Sequence, residues 1–127
     1  MTKYHLTPVE HELMEILWKI EEGTVRDVME HLPQKRNLAY TSVSTMLRIL
    51  EQKKIVKTRK LKRTHIYIPA LNKSTFATLT LNKMVTQVFS GNAVELVSYL
   101  VNKNTISTDE ITEIQKIIEN KKKELER

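Results

Sequence analysis

Residues 38–69 read LAYTSVSTMLRILEQKKIVKTRKLKRTHIYIP, and the interpretation of the whole chain depends on this stretch. On a helical wheel of about 100° per residue, Val43, Leu47 and Leu50 fall on one side and form a core-facing stripe. The opposite side carries hydrogen-bonding residues with one cation and no carboxylate, namely Thr41, Ser44, Thr45, Arg48 and Gln52. Ordinary helix surfaces are richer in Glu and Lys, and Ser and Thr are mediocre helix formers. The polar face is therefore predicted to be functional.

A face of this composition suits the major groove of DNA. Small side chains let the helix backbone approach the bases, while Arg48 and Gln52 can reach the base edges that distinguish base pairs. We therefore predict that the five residues of this face make base or groove contacts. From the helix alone, an amphipathic helix with a merely solvated polar face stays an equal alternative.

The spacing of apolar residues changes after the helix, from a helical pattern to short strand-like runs. Residues 55–61 and 64–68 are short runs rich in β-branched and aromatic residues, with Lys62 and Arg63 between them, which predicts a β-hairpin. Three helices followed by a basic hairpin is the order of a winged helix-turn-helix domain, whose third helix enters the major groove. Phosphate contacts are predicted for the hairpin cations and for the first residue of the helix: Tyr40, Arg59, Lys60, Lys62 and Arg63.

The distribution of charge agrees with a polyanionic partner. The net charge is +6, and residues 35–65 contain ten Lys or Arg against a single acid, Glu51. The other residues hold 11 bases and 14 acids. A basic segment in an otherwise mildly acidic chain is the electrostatic footprint expected of a nucleic-acid-binding protein.

Two further helices are predicted before the helix that carries Thr41 to Gln52. Thr7, Pro8 and Glu10 form the pattern of a capping box with proline at the first helical position. An apolar stripe continues to Ile20, and Gly23 ends this helix. A second short helix follows and stops before Pro33.

The character of the chain shifts after residue 71. We predict a mostly α fold with one small β-hairpin: a winged-helix DNA-binding domain at 1–71 and a three-helix dimerisation domain at 72–127. These last helices carry too many apolar residues to bury alone, so they pack either on the first domain or on a second copy. A reader of palindromic DNA needs two recognition helices, which favours a homodimer. The residues predicted to form its interface are Phe76, Leu79, Met84, Val88, Leu96, Leu100, Ile111, Ile114 and Ile118.

Other classes of function have little support in the sequence. The chain has no Cys and two Gly, so thiolate chemistry and a glycine-rich phosphate loop are excluded. His11 and Glu15 could share a metal ion on one helix face, but no third ligand is evident. We therefore expect no enzyme activity, no cofactor and no metal site. The absence of an apolar run of about 18 residues and of a leader sequence favours a cytoplasmic protein.

A basic module that binds a protein or RNA without reading DNA sequence is the main alternative. RNA readers commonly stack bases on aromatic side chains of a sheet. Tyr67 is the only aromatic residue of the predicted hairpin, which argues against that mode.

The chain resembles the penicillinase-repressor (BlaI/MecI) family of bacterial transcriptional regulators. Four segments carry the resemblance: residues 6–10 with 16–18, residues 38–47, residues 65–67 and the Leu96-Val97 segment. The resemblance implies a dimeric winged-helix repressor of palindromic operators. It also implies DNA contacts at Thr41, Ser42 and Thr45, and, in one branch, derepression through a membrane sensor protease that responds to β-lactams.

Three departures from the family pattern limit what the resemblance implies. Ile49 stands where the family usually has Arg, and Lys54 stands where it usually has Gly. The family's cleavable Asn-Phe bond aligns with Tyr99-Leu100, so Tyr99 and Leu100 mark only a possible cleavage region. The Cys-rich tail of copper-responsive relatives is absent from this sequence.

Overall fold

The computed structural model describes residues 5–103 and 105–127, which form six helices and one antiparallel hairpin. In chain order the elements are α1 (Pro8–Ile20), α2 (Val25–Glu30), α3 (Tyr40–Gln52), β1 (Val56–Leu61), β2 (Thr64–Pro69), α4 (Lys73–Val88), α5 (Ala93–Lys103) and α6 (Thr108–Leu125). The predicted mostly α fold with a small hairpin is confirmed.

Side-chain caps define where several helices begin. The Thr7 hydroxyl accepts from the Glu10 N–H, and the Glu10 carboxylate accepts from the Thr7 N–H, so the predicted capping box at α1 is confirmed. A second box, between Thr24 and Asp27, opens α2 and was not predicted. It places a helix start directly after Gly23, and this fixes the direction in which α2 leaves the end of α1.

The core of the winged-helix part lies between α1, α2, α3 and the hairpin. Val43, Leu47 and Leu50, the predicted inner stripe of α3, are each fully buried there. Their neighbours in the buried cluster are Leu13, Met14, Leu17, Val25, Val28, Ile55, Val56 and Tyr67. Burying this stripe leaves the opposite face of α3 to solvent, as the sequence predicted.

An ion pair between a buried carboxylate and a half-buried lysine joins the start of α1 to the end of α3. Glu10 is only 4% exposed, and the Lys53 ammonium lies 2.9 Å from its Oε1 atom. Burial raises the pKa of Glu10, but the hydrogen bond from the Thr7 backbone and the nearby Lys53 charge outweigh burial and lower the pKa below its usual value. The same ammonium donates to the His5 carbonyl, 3.0 Å away.

The end of α3 aims the chain into the hairpin. Lys54 has φ +64°, in the left-handed region, and its N–H donates to the Glu51 carbonyl. The Ile55 N–H donates to the Leu50 carbonyl at 3.0 Å, which completes the hydrogen-bond pattern of a Schellman motif. Both Leu50 and Ile55 are buried, so an apolar contact accompanies the turn.

The hairpin pairs Val56 with Pro69 through Leu61 with Thr64, leaving Lys62 and Arg63 as a two-residue turn. This confirms the predicted turn, although it lacks Gly and Asn. Lys62 supplies the positive φ, +58°, that tight hairpin turns need. Gly23 exchanges two backbone hydrogen bonds with Tyr67 and so anchors the hairpin to the segment between α1 and α2.

The described residues divide into two compact units, and the division falls inside α4, between Lys83 and Met84. In the first unit, the Trp18 indole donates to the Leu71 carbonyl at 3.0 Å, and its ring lies 5.5 Å from that of Phe76. These contacts attach the start of α4 to α1. The domain boundary at 71/72 stays a prediction.

The second unit buries far less of its apolar surface. Among residues 84–103 and 105–127, Phe89 is the one buried side chain, and its ring lies 5.9 Å from that of Tyr99. A capping box between Ser107 and Glu110 opens α6. These helices therefore have well-defined ends but little core.

Candidate nucleic-acid interface

The solvent face of α3 holds most of the side chains that the sequence assigned to base contact. Thr41, Thr45, Arg48 and Gln52 are exposed, and Ser42 and Ser44 are half-buried at the two edges of the face. The structure thus brings the six predicted base-contact residues onto one surface. Glu51 is the single carboxylate of α3, and it accepts a hydrogen bond from the Thr58 hydroxyl at 2.7 Å.

A groove of about 330 Å³ separates α3 from the hairpin. Its walls come from α3, the hairpin and the start of α2: Thr24, Val25, Arg26, Tyr40, Ser44, Arg48, Glu51, Arg63, Thr64, His65 and Tyr67. Tyr67 is a buried residue of this lining, and burial and the Glu51 charge raise the pKa of its phenol. The phenol therefore remains protonated at neutral pH.

Successive side chains of a strand point to opposite faces of the sheet, and this separates the hairpin cations into two sets. Lys60 pairs with His65 and stands on the same sheet face as Thr58 and Tyr67, toward α3. Arg59 points to the other face and forms an ion pair with Glu22. Lys62 and Arg63 occupy the exposed turn. The four hairpin residues predicted to contact phosphate therefore do not share one surface, and Arg59 lies apart from the other three.

Ion pairing further divides the basic segment. Arg36 pairs with Glu12, Lys53 with Glu10 and Arg59 with Glu22. Within residues 5–103 and 105–127, the other cations of the segment have no carboxylate partner: Lys35, Arg48, Lys54, Lys57, Lys60, Lys62 and Arg63. Of these seven cations, Arg48 lies on α3 and Lys60, Lys62 and Arg63 lie at the tip of the hairpin.

Arg26 belongs to this surface and was missed by the sequence analysis. It is exposed in the first turn of α2, and its guanidinium lies 5.4 Å from the centre of the Tyr40 ring. The ring of Tyr40, a predicted phosphate contact, therefore lies beside the Arg26 cation. The sequence signal was the Thr24–Asp27 capping pair, which places Arg26 at the exposed start of a helix.

The start of α3 also differs from the starts of α1, α2 and α6. Those three helices begin with capping boxes, whereas Ala39 offers no side-chain oxygen to the first-turn N–H groups of α3. Uncapped N–H groups at a helix start carry partial positive charge and are suited to an anion. Arg26 and Tyr40 flank this end of the helix.

The residues predicted for dimerisation are mostly exposed apolar side chains. Leu79, Met84, Val88, Leu100, Ile111 and Ile118 are exposed, and Leu96 and Ile114 are half-buried. Two apolar grooves of about 540 Å³ each flank α5, one against Phe89 and one lined by Val94, Val97 and Val101. Phe76 differs from the others because it packs on Trp18 in the first unit.

The remaining features are the possible cleavage region, a metal site and a membrane-spanning helix. Tyr99 and Leu100, the possible cleavage region, are exposed within α5. Among the described residues, no three His, Cys, Asp or Glu side chains are grouped as metal ligands, and His11 pairs with Glu15 at 3.1 Å. In the same part of the chain, no helix has the length and hydropathy needed to cross a membrane.

Comparison with known proteins supplies the family. The family model described as penicillinase repressor matches residues 6–120. The methicillin resistance regulatory protein MecI of Mammaliicoccus sciuri is 24% identical over 118 residues, covering 93% of this chain and 96% of the relative. The penicillinase repressor of Bacillus licheniformis is 24% identical over 122 residues, covering 94% and 95%.

Two further similarities concern the DNA-binding part. The transcriptional regulator BlaI of Mycobacterium tuberculosis is 42% identical over 65 residues, which is 50% of this chain and 47% of that protein. The solution structure of the DNA-binding domain of the repressor BlaI aligns with a TM-score of 0.52 and 23% identity, over 58% of this chain and 90% of that domain. The fold, the match over residues 6–120 and these relatives together show that the chain belongs to the penicillinase repressor family, a family of transcriptional repressors and not of enzymes.

Proposed function

We propose that this chain represses transcription as a cytoplasmic homodimer that binds palindromic promoter operators. The observation that carries the proposal is the shared surface of α3 and the hairpin turn, where exposed hydrogen-bonding side chains lie beside cations that have no carboxylate partner among the described residues. Hydrogen bonds to base edges provide sequence specificity, and cations near phosphates provide affinity. One surface that offers both is suited to specific DNA binding.

Within this surface the two roles fall on different elements. Thr41, Thr45, Arg48 and Gln52 read bases from the major groove. Lys60, Lys62 and Arg63 bind phosphates beside the hairpin, and Arg26, Tyr40 and the uncapped start of α3 bind a phosphate at the other end of the helix. Arg59 is a weaker phosphate ligand in this proposal because Glu22 already neutralises it.

Dimerisation through the second unit is supported by its exposed apolar side chains. Val88, Val94 and Leu125 are each more than 60% exposed, and the grooves beside α5 have predominantly apolar walls. Apolar grooves with exposed apolar side chains are typical of a protein interface. A second copy fits because a twofold dimer presents two α3 helices to the two halves of a palindrome.

The proposal is tested by mixing the purified protein with fragmented genomic DNA at near-physiological salt, then sequencing the bound fragments. We expect enrichment of a few promoters that share an inverted repeat. Equal recovery of all fragments, lost as salt rises, would reduce the surface to a nonspecific polyanion site and contradict the proposal.

The dimer is tested with Leu100→Asp, which places a charge on an apolar groove of the second unit. We expect monomers by light scattering and an operator affinity at least about 100-fold lower, because avidity between half-sites is lost. Lys103→Asp, a charge change at the end of the same helix, is the matched control and should remain dimeric. A Leu100→Asp protein that stays dimeric would place the interface elsewhere.

The regulated genes are proposed to be a β-lactam-resistance or other stress operon, since the similar proteins are named for methicillin resistance and penicillinase. Release by a membrane sensor protease at Tyr99–Leu100 would require local unfolding of α5, because both residues lie inside that helix. Transcription of the genes beside enriched promoters, measured with and without a β-lactam, tests this part.

A further inference from the structure

Ile49 is the one aliphatic side chain on the solvent face of α3. It is 38% exposed, and it lies one helical turn after Thr45 and three residues before Gln52. The other exposed residues of this helix are Tyr40, Thr41, Thr45, Arg48 and Gln52, all of which can form hydrogen bonds. Ile49 thus adds an apolar patch to a face that otherwise recognises polar groups.

The placement of Ile49 fits a wider pattern in the winged-helix part. Among the described residues up to Leu71, the exposed large apolar side chains are Tyr40, Ile49 and Leu61, and all three lie on α3 or at the end of β1. An isolated exposed apolar residue is common on any protein surface. Here, however, two of the three residues, Tyr40 and Ile49, lie on α3 itself, while Leu61 shares the sheet face of Arg59.

The major groove presents one apolar group, the 5-methyl of thymine, among its hydrogen-bond donors and acceptors. An isoleucine side chain can neither donate nor accept a hydrogen bond, so it gains free energy in the groove only by excluding water from an apolar group. We propose that Ile49 makes this protein prefer a thymine in each operator half-site by contacting its 5-methyl group. This inference rests on the proposed function, because it requires α3 to lie in the major groove.

The expected size of the effect follows from burial of a single methyl group. Removing one such group from an apolar contact should weaken binding about fourfold. A symmetric dimer makes the contact twice, so removal in both half-sites should weaken binding about 15-fold. These effects are smaller than loss of a bidentate hydrogen bond and need a substitution that alters nothing else in the base pair.

Deoxyuridine provides that substitution, since it pairs like thymine but lacks the 5-methyl group. The operator is first selected with the wild-type protein from a pool of randomised duplexes. Each thymine of the half-site is then replaced in turn by deoxyuridine, symmetrically in both halves, and affinity is measured by fluorescence anisotropy. We expect one position at which wild type loses about 15-fold and at which Ile49→Ala binds both duplexes equally.

Two variants serve as controls. Ile49→Val keeps a branched apolar side chain and should retain most of the preference for thymine at that position. Arg48→Ala should weaken operator binding and yet keep the full preference, because Arg48 contacts a different group. Circular dichroism of each variant confirms that the exposed substitutions leave the fold intact.

The possible results separate the inference from the function on which it rests. A selected operator that tolerates deoxyuridine at every position would overturn the role of Ile49 and leave the proposed function standing. So would a preference that survives in Ile49→Ala but disappears in Thr45→Ser, because the threonine methyl would then be the reader. Failure to select any sequence from the pool would overturn both.

Discussion

The two units of this chain bury their apolar residues to very different extents. In the winged-helix unit, Leu13, Met14 and Leu17 of α1 and the inner stripe of α3 are fully buried together with Ile55 and Val56. In the second unit, Phe89 is the one buried side chain among the described residues, although α5 and α6 are equally rich in Leu, Ile and Val. Apolar content alone therefore did not determine which part of the chain forms a core.

The comparison indicates that the units depend on different interactions. Contacts within a single chain stabilise the winged helix, whereas the grooves of the second unit are the surface through which we propose that two copies associate. Truncation of an apolar side chain should accordingly affect folding in the first unit and association in the second.

The largest expected effect is that of Leu47→Ala. Leu47 is fully buried, and its truncation should lower the free energy of unfolding by about 3 kcal/mol. Fluorescence of Trp18, the chain's single tryptophan, follows unfolding of this unit in urea. The matched variant is Leu100→Ala, at a site 43% exposed in the second unit. It should leave the Trp18 transition in place and weaken dimerisation instead. Equal shifts of the Trp18 transition in both variants would mean that the units share one core.

A smaller effect is expected for Glu10→Gln, which removes the charge paired with Lys53. The substitution should destabilise the winged helix by about 2 kcal/mol at neutral pH, because it leaves the half-buried Lys53 side chain without its counter-charge. The free energy of unfolding of Lys53→Met can be compared with that of Glu10→Gln, because Lys53→Met removes the other charge of the pair.

The same pair predicts a dependence on pH. The pKa of Glu10 is lower in the folded protein than in the unfolded chain. Its stabilising contribution is therefore present above the unfolded pKa and is lost as pH falls through the folded pKa. Trp18-monitored unfolding should become less pH-dependent below pH of about 4.5 in Glu10→Gln. If stability in Glu10→Gln depends on acid pH as it does in the wild type, other carboxylates dominate the pH dependence of unfolding.

The smallest expected effect is a gain in the stability of the winged helix. Lys54→Gly should raise the free energy of unfolding of the winged helix by about 1 kcal/mol, since glycine adopts the left-handed conformation without steric cost. Lys54→Ala removes the same charge but keeps the strained backbone, so it should give no comparable gain. Equal stability of the two variants would argue against strain at this position.

Much of the fold followed from the sequence because local signals agreed with one another. The capping box at Thr7, the inner stripe of α3 and the basic turn at 62–63 each act over a few residues, and each lies where it was predicted. The α2 capping pair was readable in the same way but was overlooked.

The less predictable features depend on contacts between distant residues. Pairing of Arg59 with Glu22 joins positions 37 residues apart, and it removes one of the four hairpin cations from the expected surface. The stacking of Arg26 on Tyr40 and the docking of Phe76 on Trp18 likewise need the tertiary fold. Helical spacing identified α4–α6, but it could not say which of their apolar residues a single chain would bury.

We propose that α3 supplies specificity while the hairpin turn supplies nonspecific affinity. This proposal is tested most directly by measuring the affinities of Arg48→Ala and Lys62→Gly for the selected operator and for an unrelated duplex, across a range of salt concentrations. Glycine is chosen at 62 because it keeps the positive φ of the turn. Arg59→Ala is the control, since Glu22 already pairs with that cation.

We expect Arg48→Ala to weaken operator binding by about 1–3 kcal/mol and to leave binding of the unrelated duplex nearly unaffected. Lys62→Gly should weaken both duplexes alike and flatten the salt dependence by about one unit per half-site. Uniform losses on both duplexes for both variants would contradict the assignment of α3 as the reading helix.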